Sequence, residues 1–383
     1  MVANILLTLL AACSAVVGVP TAQTGLDNAT LAKVKANLAQ IATHSWEIGT
    51  QLETLLELEW PKLSVFGGDI PPSTRLPSSD TAADVFAKTA EIVPNITDIP
   101  GPLINGDGAV GDPASLGVPV LLTNWTRTDR NNKFSVAASN QLNYLLNDAP
   151  RTEDGAISHR TDQVQLWADF VYMAPPFIAY YGALQGGSVG AELLQFAYTQ
   201  CKLYRKYLRD DSGLWKHIVL GNWTDTTHWG TGNAWAAAGM LRVLETIRRS
   251  SEADNMLSER LELTSWINEI LTHAWTFQQT NGTLLNYLDQ PGSFPDSSST
   301  ALLGAVTYRM AALTGDLTHV SSADDAFSVI KASLTDDGWL LNTVDPLTFN
   351  TPSVPGSYSP EGQAFVLLLH SAWRDYTAAF PRI

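Results

Sequence analysis

Along residues 140–383, apolar positions recur at intervals of three and four, broken by short glycine-containing turns. That spacing puts the apolar residues on one face of an α-helix. It predicts helices over 165–184, 191–209, 234–249, 262–279, 299–313, 323–334 and 361–376. Strand signals are few and short, the best being 215–219 and 339–344. Upstream, Leu31, Val34, Leu38 and Ile41 share one face of a helix expected over 27–58. The stretch 66–117 is rich in Pro and Gly and reads as irregular loop.

Between the helical segments a turn repeats. Glu153-Asp154-Gly155-Ala156-Ile157, Asp211-Ser212-Gly213-Leu214-Trp215, Thr280-Asn281-Gly282-Thr283-Leu284 and Asp336-Asp337-Gly338-Trp339-Leu340 are each a polar pair, a glycine and mostly apolar residues. They recur at about sixty residues, the length of two helices and their loops. A polar residue before glycine is an ordinary turn signal; its repeated position is what raises it above that. Six such helical hairpins would fill the chain. They predict an all-α architecture, closed as a double ring or open as a solenoid.

Composition narrows the setting. Residues 1–18 read as a secretory leader, since the apolar run over 5–19 is too short to span a membrane. A buried first helix is the alternative. Five Asn-X-Ser/Thr sequons, at Asn28, Asn95, Asn124, Asn222 and Asn281, fit an extracellular glycoprotein. Cys13 falls in the leader, so Cys201 is left without an intramolecular partner and is expected as a buried thiol. No linker interrupts 25–383, which reads as a single domain, with a monomer as the default. The net charge of -15 argues against nucleic acid as a partner. No second apolar segment is long enough for a membrane span.

Candidate chemistry centres on Asp169. It sits among Trp167, Tyr172, Met173 and the pair Pro175-Pro176, in the segment that begins with His159 and Arg160. Burial among apolar groups raises a carboxyl pKa, which suits a general acid. A helix-capping Asp is the plainer reading. Asp112, in Asp-Pro-Ala-Ser, is a second candidate and also a strong helix start; Asp107 competes with it for the same role. His217 follows a Gly-Leu-Trp turn, and a lone His is more often structural. Trp229 and Trp235 flank Gly230-Thr231-Gly232 and offer flat faces for sugar rings, against ordinary helix packing through small residues. Ser359-Pro360-Glu361 opens the last helix as a cap, although a loop serine there can also touch substrate. No metal-ligand spacing and no Gly-x-Ser-x-Gly elbow occur.

Together these residues resemble the unsaturated glucuronyl and rhamnogalacturonyl hydrolases of glycoside hydrolase families 88 and 105, more closely family 105. The pattern Trp167-x-Asp169-x-x-Tyr172-Met173-Ala174-x-Pro176-Phe177 carries most of the likeness. The resemblance implies an (α/α)6 barrel of six hairpins, with Asp169 and Asp112 catalytic and no cofactor required. It implies an oligosaccharide partner met by Trp46, His159, Arg160, Trp167, Met173, His217, Trp229, Thr231, Trp235 and Ser359. The implied reaction is removal of a terminal 4,5-unsaturated uronic acid from pectin-type fragments left by a lyase. One departure stands out. The family usually carries Arg where this chain has Thr231, and Thr cannot grip a carboxylate bidentately. Arg160 or Lys216 are the candidates to replace that charge. A conventional glycosidase on the same barrel, or a non-catalytic carbohydrate-binding protein, are the alternatives.

Overall fold

The computed structural model describes residues 23–73, 83–93, 101–127 and 131–381. The expected leader and the sequon at Asn95 lie outside them. Helices α1 (Asn28–Ile41) and α2 (Ser45–Glu59) form the first hairpin, and α3 (Ala83–Ile92) and α4 (Gly117–Thr126) the second. Next come α5 (Lys133–Asn143), the single turn α6 (Phe170–Met173) and α7 (Pro175–Gln185). Three further pairs follow: α8 (Gly187–Leu208) with α9 (Gly230–Arg249), α10 (Leu257–Trp275) with α11 (Ser297–Thr314), and α12 (Val320–Ala332) with α13 (Pro360–Ala379).

Burial sorts these helices into two rings. α9 is buried on every side from Gly230 to Ile247, and α11 from Ser297 to Ala311, as inner staves must be. α8 buries one stripe instead, with Leu193, Leu194, Ala197, Tyr198, Cys201, Tyr204 and Leu208 at helical spacing. Around the inner ring α2 meets α4, α4 meets α7, and the series runs through α9 and α11 to α13. α13 then packs back on α2, which closes the barrel and rules out an open solenoid. The outer helices α5, α8, α10 and α12 each lie against the inner helix before them. The all-α, (α/α)6 expectation holds.

The repeated turn has one physical form. Gly155, Gly213, Gly282 and Gly338 all have φ between 81° and 95°, a region glycine enters without strain. In each, the glycine N–H donates to a carbonyl three residues back. Arg151 bridges Ile157, Arg209 bridges Trp215 and Leu334 bridges Leu340 across three of the turns.

Several expected elements differ. The helix expected over 165–184 is instead strand β1 (Gln165–Trp167), then α6 and α7. Pro175 and Pro176 stand in the first turn of α7, where a missing N–H costs nothing. The 27–58 helix breaks at Ala42 and restarts at Ser45, because His44 and Glu47 form a capping box. The 66–117 loop contains α3 and a 3-10 turn over Asp112–Leu116. Residues 339–344 make isolated bridges rather than a strand. The 215–219 signal is realised as β2 (Ile218–Leu220), antiparallel to β1. Asn28, Asn222 and Asn281 are exposed, whereas Asn124 is half-buried on α4. Cys201 is buried, and burial pushes its thiol up. Among the described residues no helix is long and apolar enough to cross a membrane.

Candidate active site

A cavity of about 330 Å³ opens at one end of the barrel. Trp46 near the start of α2, Trp229 at the start of α9 and Glu361 at the start of α13 line it, as do Asp112 and Asp169. Helix N-termini carry partial positive charge and unpaired N–H groups, so this end of the ring suits an anionic ligand.

Strand pairing brings the central groups together. In the β1–β2 ladder Trp167 faces Ile218, and the next residue, Ala168, donates its N–H to His217 O at 2.9 Å. Asp169 therefore emerges beside His217, with its Oδ2 3.4 Å from Nε2. Nδ1 of the same ring lies 3.0 Å from Asp225 Oδ2. Asp225 is itself fixed by the N–H and hydroxyl of Thr227. The turn that follows Asp169 is held close to α9 at Gly239, where a Cβ would overlap the Val171 carbonyl oxygen.

Neither aspartate acts as a cap. Asp169 precedes α6 but makes no side-chain bond to its N–H groups. Asp112 is the first residue of its 3-10 turn, with Gly111 in the cap position, so its carboxyl is left to face the cavity. The His159 ring lies beside it, with Nε2 4.0 Å from Asp112 Oδ1. Asp107 sits outside it at the rim, more than half exposed, against His44 Nδ1 at 3.2 Å. The buried position of the pair thus belongs to Asp112.

The electrostatics reverse one expectation. Burial works to raise Asp169, but the His217 ring 3.4 Å away outweighs it and holds this carboxyl below its ordinary value. Burial likewise opposes the His217 imidazolium, yet Asp169 and Asp225 raise it overall. The raised carboxyl is Asp112, pushed up to about 8 by burial and then by the charge of Asp169. His159, lowered to about 4 by burial, stays neutral. The sequence placed apolar groups around Asp169; it did not show the cation that strand pairing delivers.

Of the expected binding residues, the cavity brings together Trp46, His159, Arg160, Trp167, Met173, Trp229 and Trp235. Arg160 is the cation among the lining residues, and Lys216 does not reach them. Trp167 stacks on His159 at 4.8 Å. The two tryptophans expected as sugar platforms are largely buried. Trp229 donates its indole N–H to Asn286 Oδ1, and Trp235 is wedged between Tyr172 and Phe365. Thr231 does not line the cavity: it is buried, with its hydroxyl on Asp296 Oδ2 at 3.1 Å. Ser359 is buried as the N-cap of α13, accepting from Gly362 N at 3.0 Å. His217 lies behind Asp169 rather than in the wall.

The sequence reading missed Asp225, Phe349 and Glu361 as site groups. Asp225 lies among polar loop residues with no distinguishing pattern. Phe349 stands at φ 49° in a loop and brings its ring 4.6 Å from that of His217. Glu361 was visible only as a residue opening a helix.

The sequence profile of Glycosyl Hydrolase Family 88 matches residues 112–339, from the buried aspartate to the last repeated turn. Among solved structures, a possible member of family 105 from Salmonella enterica serovar Paratyphi A superposes with TM-score 0.68 at 19% identity, covering 91% of this chain and 93% of that one. A family 105 glycoside hydrolase from C. acetobutylicum gives 0.66 at 17%, covering 89% and 98%. The unsaturated glucuronyl hydrolase of Bacillus sp. GL1 gives 0.57 at 13%, covering 88% and 93%. No curated protein sequence matches the chain. The structures agree on the barrel, and the profile spans more than half of the residues, Asp112 and Asp169 included: the chain belongs to glycosyl hydrolase family 88 and is a glycoside hydrolase.

Proposed function

We propose that the protein, once secreted, removes a terminal 4,5-unsaturated uronic acid from oligosaccharides left by a polysaccharide lyase, pectin fragments foremost. The observation that carries this reading is the row Asp225–His217–Asp169 aimed into a cavity that also holds Asp112. Such a row stores one proton between Asp169 and His217 and keeps its far end fixed. One carboxyl fed by a proton reservoir, beside a second that is held protonated, suits addition across a double bond. Direct displacement at an anomeric carbon instead asks for two carboxyls on opposite faces of the bond.

In this mechanism Asp169, a carboxylate at rest, relays the proton held on His217 to C4, and the C4=C5 electron pair forms the new C–H bond. The positive charge left at C5 is shared with the ring oxygen. Water adds at C5 while Asp169, again a carboxylate, takes the water's proton and returns it to His217. The resulting hemiketal opens to a ketone at C5, and the hemiacetal at C1 releases the neighbouring sugar. Asp112, protonated below about 8, holds the water or a ring hydroxyl without repelling the substrate carboxylate. Arg160 and the helix N-termini bind that carboxylate, in the role that Thr231 cannot fill.

Incubation with lyase-generated oligosaccharides from pectin and from glycosaminoglycans, followed by double-bond ultraviolet absorbance, tests the reading. Loss of absorbance on the pectin set is expected. Release of sugars only from saturated oligosaccharides would identify a conventional glycosidase instead.

A further inference from the structure

Glu361 is the second residue of α13 and lies in the cavity wall, 5% exposed. Trp46 Nε1 donates to its Oε1 at 2.6 Å, and Ser359 Oγ donates to its Oε2 at 3.3 Å. Because Ser359 Oγ already accepts from Gly362 N, its single proton is the one directed at Glu361. Both bonds are therefore given to the carboxyl and neither is made by it. Burial first, then the charges of Glu47 and Asp169, hold Glu361 well above the ordinary carboxyl range despite the two donors. The carboxyl so keeps a proton of its own, and among the described residues no further hydrogen-bond partner is present for it.

A tie between the first and last inner helices accounts for the Trp46 and Ser359 bonds. It does not account for an acid buried in the wall of a cavity that already holds Asp112 and Asp169, where an amide would tie the helices at lower cost. An oxygen-rich ligand with no cation does account for it, because a protonated carboxyl offers one donor and one acceptor without adding charge. We infer that Glu361 is a sugar-recognition residue, hydrogen-bonding a hydroxyl of the bound uronide on the Trp46 side of the cavity. The identity of that sugar rests on the function proposed above.

The test compares wild type, Glu361→Gln and Glu361→Met, with Gln363→Ala as a control. Gln363 stands in the same helical turn but is tied to Gly338 and Leu340, away from the cavity. Turnover of unsaturated digalacturonate and calorimetric binding of saturated digalacturonate are both read. Glu361→Met, which keeps length but no hydrogen bond, raises KM about ten- to a hundredfold with little change in kcat. Glu361→Gln, which keeps a donor and an acceptor, restores KM to within about threefold of wild type. Gln363→Ala lowers Tm and leaves KM alone. A wild-type KM in Glu361→Met overturns the inference, as does an equal rise in Gln363→Ala. If wild type fails to consume the unsaturated sugar yet binds the saturated one more tightly than Glu361→Met, the recognition role stands and the hydration reading falls. Equal or absent binding of the saturated sugar by both overturns the recognition role itself.

Discussion

Asp169 Oδ2 lies 3.4 Å from His217 Nε2, and this spacing is set by backbone register rather than by side-chain choice. Trp167 is paired with Ile218 and the Ala168 N–H donates to His217 O, which brings Asp169, the next residue, beside the His217 ring. The ring is held from behind by Asp225, which leaves Nε2 one direction to face. A carboxylate and an imidazolium so placed titrate as a unit carrying one proton between them.

Replacing His217 with Gln removes that reservoir. Burial then acts on Asp169 with its main opposition removed and raises it. In the wild type the stored proton is lost as pH climbs through the raised His217 value, so activity falls on the alkaline side. In the variant this limb depends on Asp169 alone and moves to lower pH. A pH profile of kcat/KM checks the shift, and kcat falls by about 10²-fold as for loss of a general acid–base partner.

Asp112 links the site to stability. Its folded value of about 8 lies above the unfolded one, so between the ordinary carboxyl range and about 8 the native state binds the extra proton. Stability from this group is present at low pH and is lost as pH rises through that window. Asp112→Asn abolishes the dependence. Melting curves are expected to show a higher Tm than wild type at pH 8, with the gain vanishing near pH 4. Turnover of the variant falls at both.

Further along α2, away from the cavity, a buried ion network ties it to α9, α11 and α13. Arg242 binds Glu53 at 2.9 Å and also Glu57, and Arg309 joins Glu57 to Asp375. Arg242→Ala leaves buried Glu53 without its cation and Glu57 with Arg309 alone, a loss of about 3–5 kcal/mol. Denaturant unfolding measures it. KM of the protein that remains folded is expected to be unchanged, since none of these residues lines the cavity.

Gly239 carries the turn that bears Asp169. Gly239→Ala drives a methyl into the Val171 carbonyl oxygen, backbone that cannot rotate away. The expected outcome is a stability loss of about 1–3 kcal/mol, together with a kcat deficit greater than the KM change, read from melting and steady-state kinetics on one preparation.

The helical ring was legible because its signals are local. Three-and-four spacing marked the helices, and Gly155, Gly213, Gly282 and Gly338 marked the turns between them. Asp169 and Asp112 were legible as residues, but the protonation of each was not. His217 reaches Asp169 through a strand pair only three residues long, across about fifty residues of chain, and no spacing rule records such a meeting. The same limit hid Asp225 and Phe349. Thr231 stood out because a motif expects Arg there, yet its hydroxyl turns to Asp296, while Arg160 reaches the cavity from another loop. Pro175 and Pro176 lie inside the helix expected over 165–184, and the strand ahead of them needed a partner that local pattern does not supply.

The most direct measurement is turnover of an unsaturated pectin disaccharide in heavy water, with the product read by nuclear magnetic resonance. One deuterium at C4 of the released 4-deoxy sugar is expected, with loss of the double bond and no product from Asp169→Asn. Release of the uronic acid with its double bond intact and no deuterium at C4 would contradict hydration of the double bond and place the chemistry at the anomeric carbon.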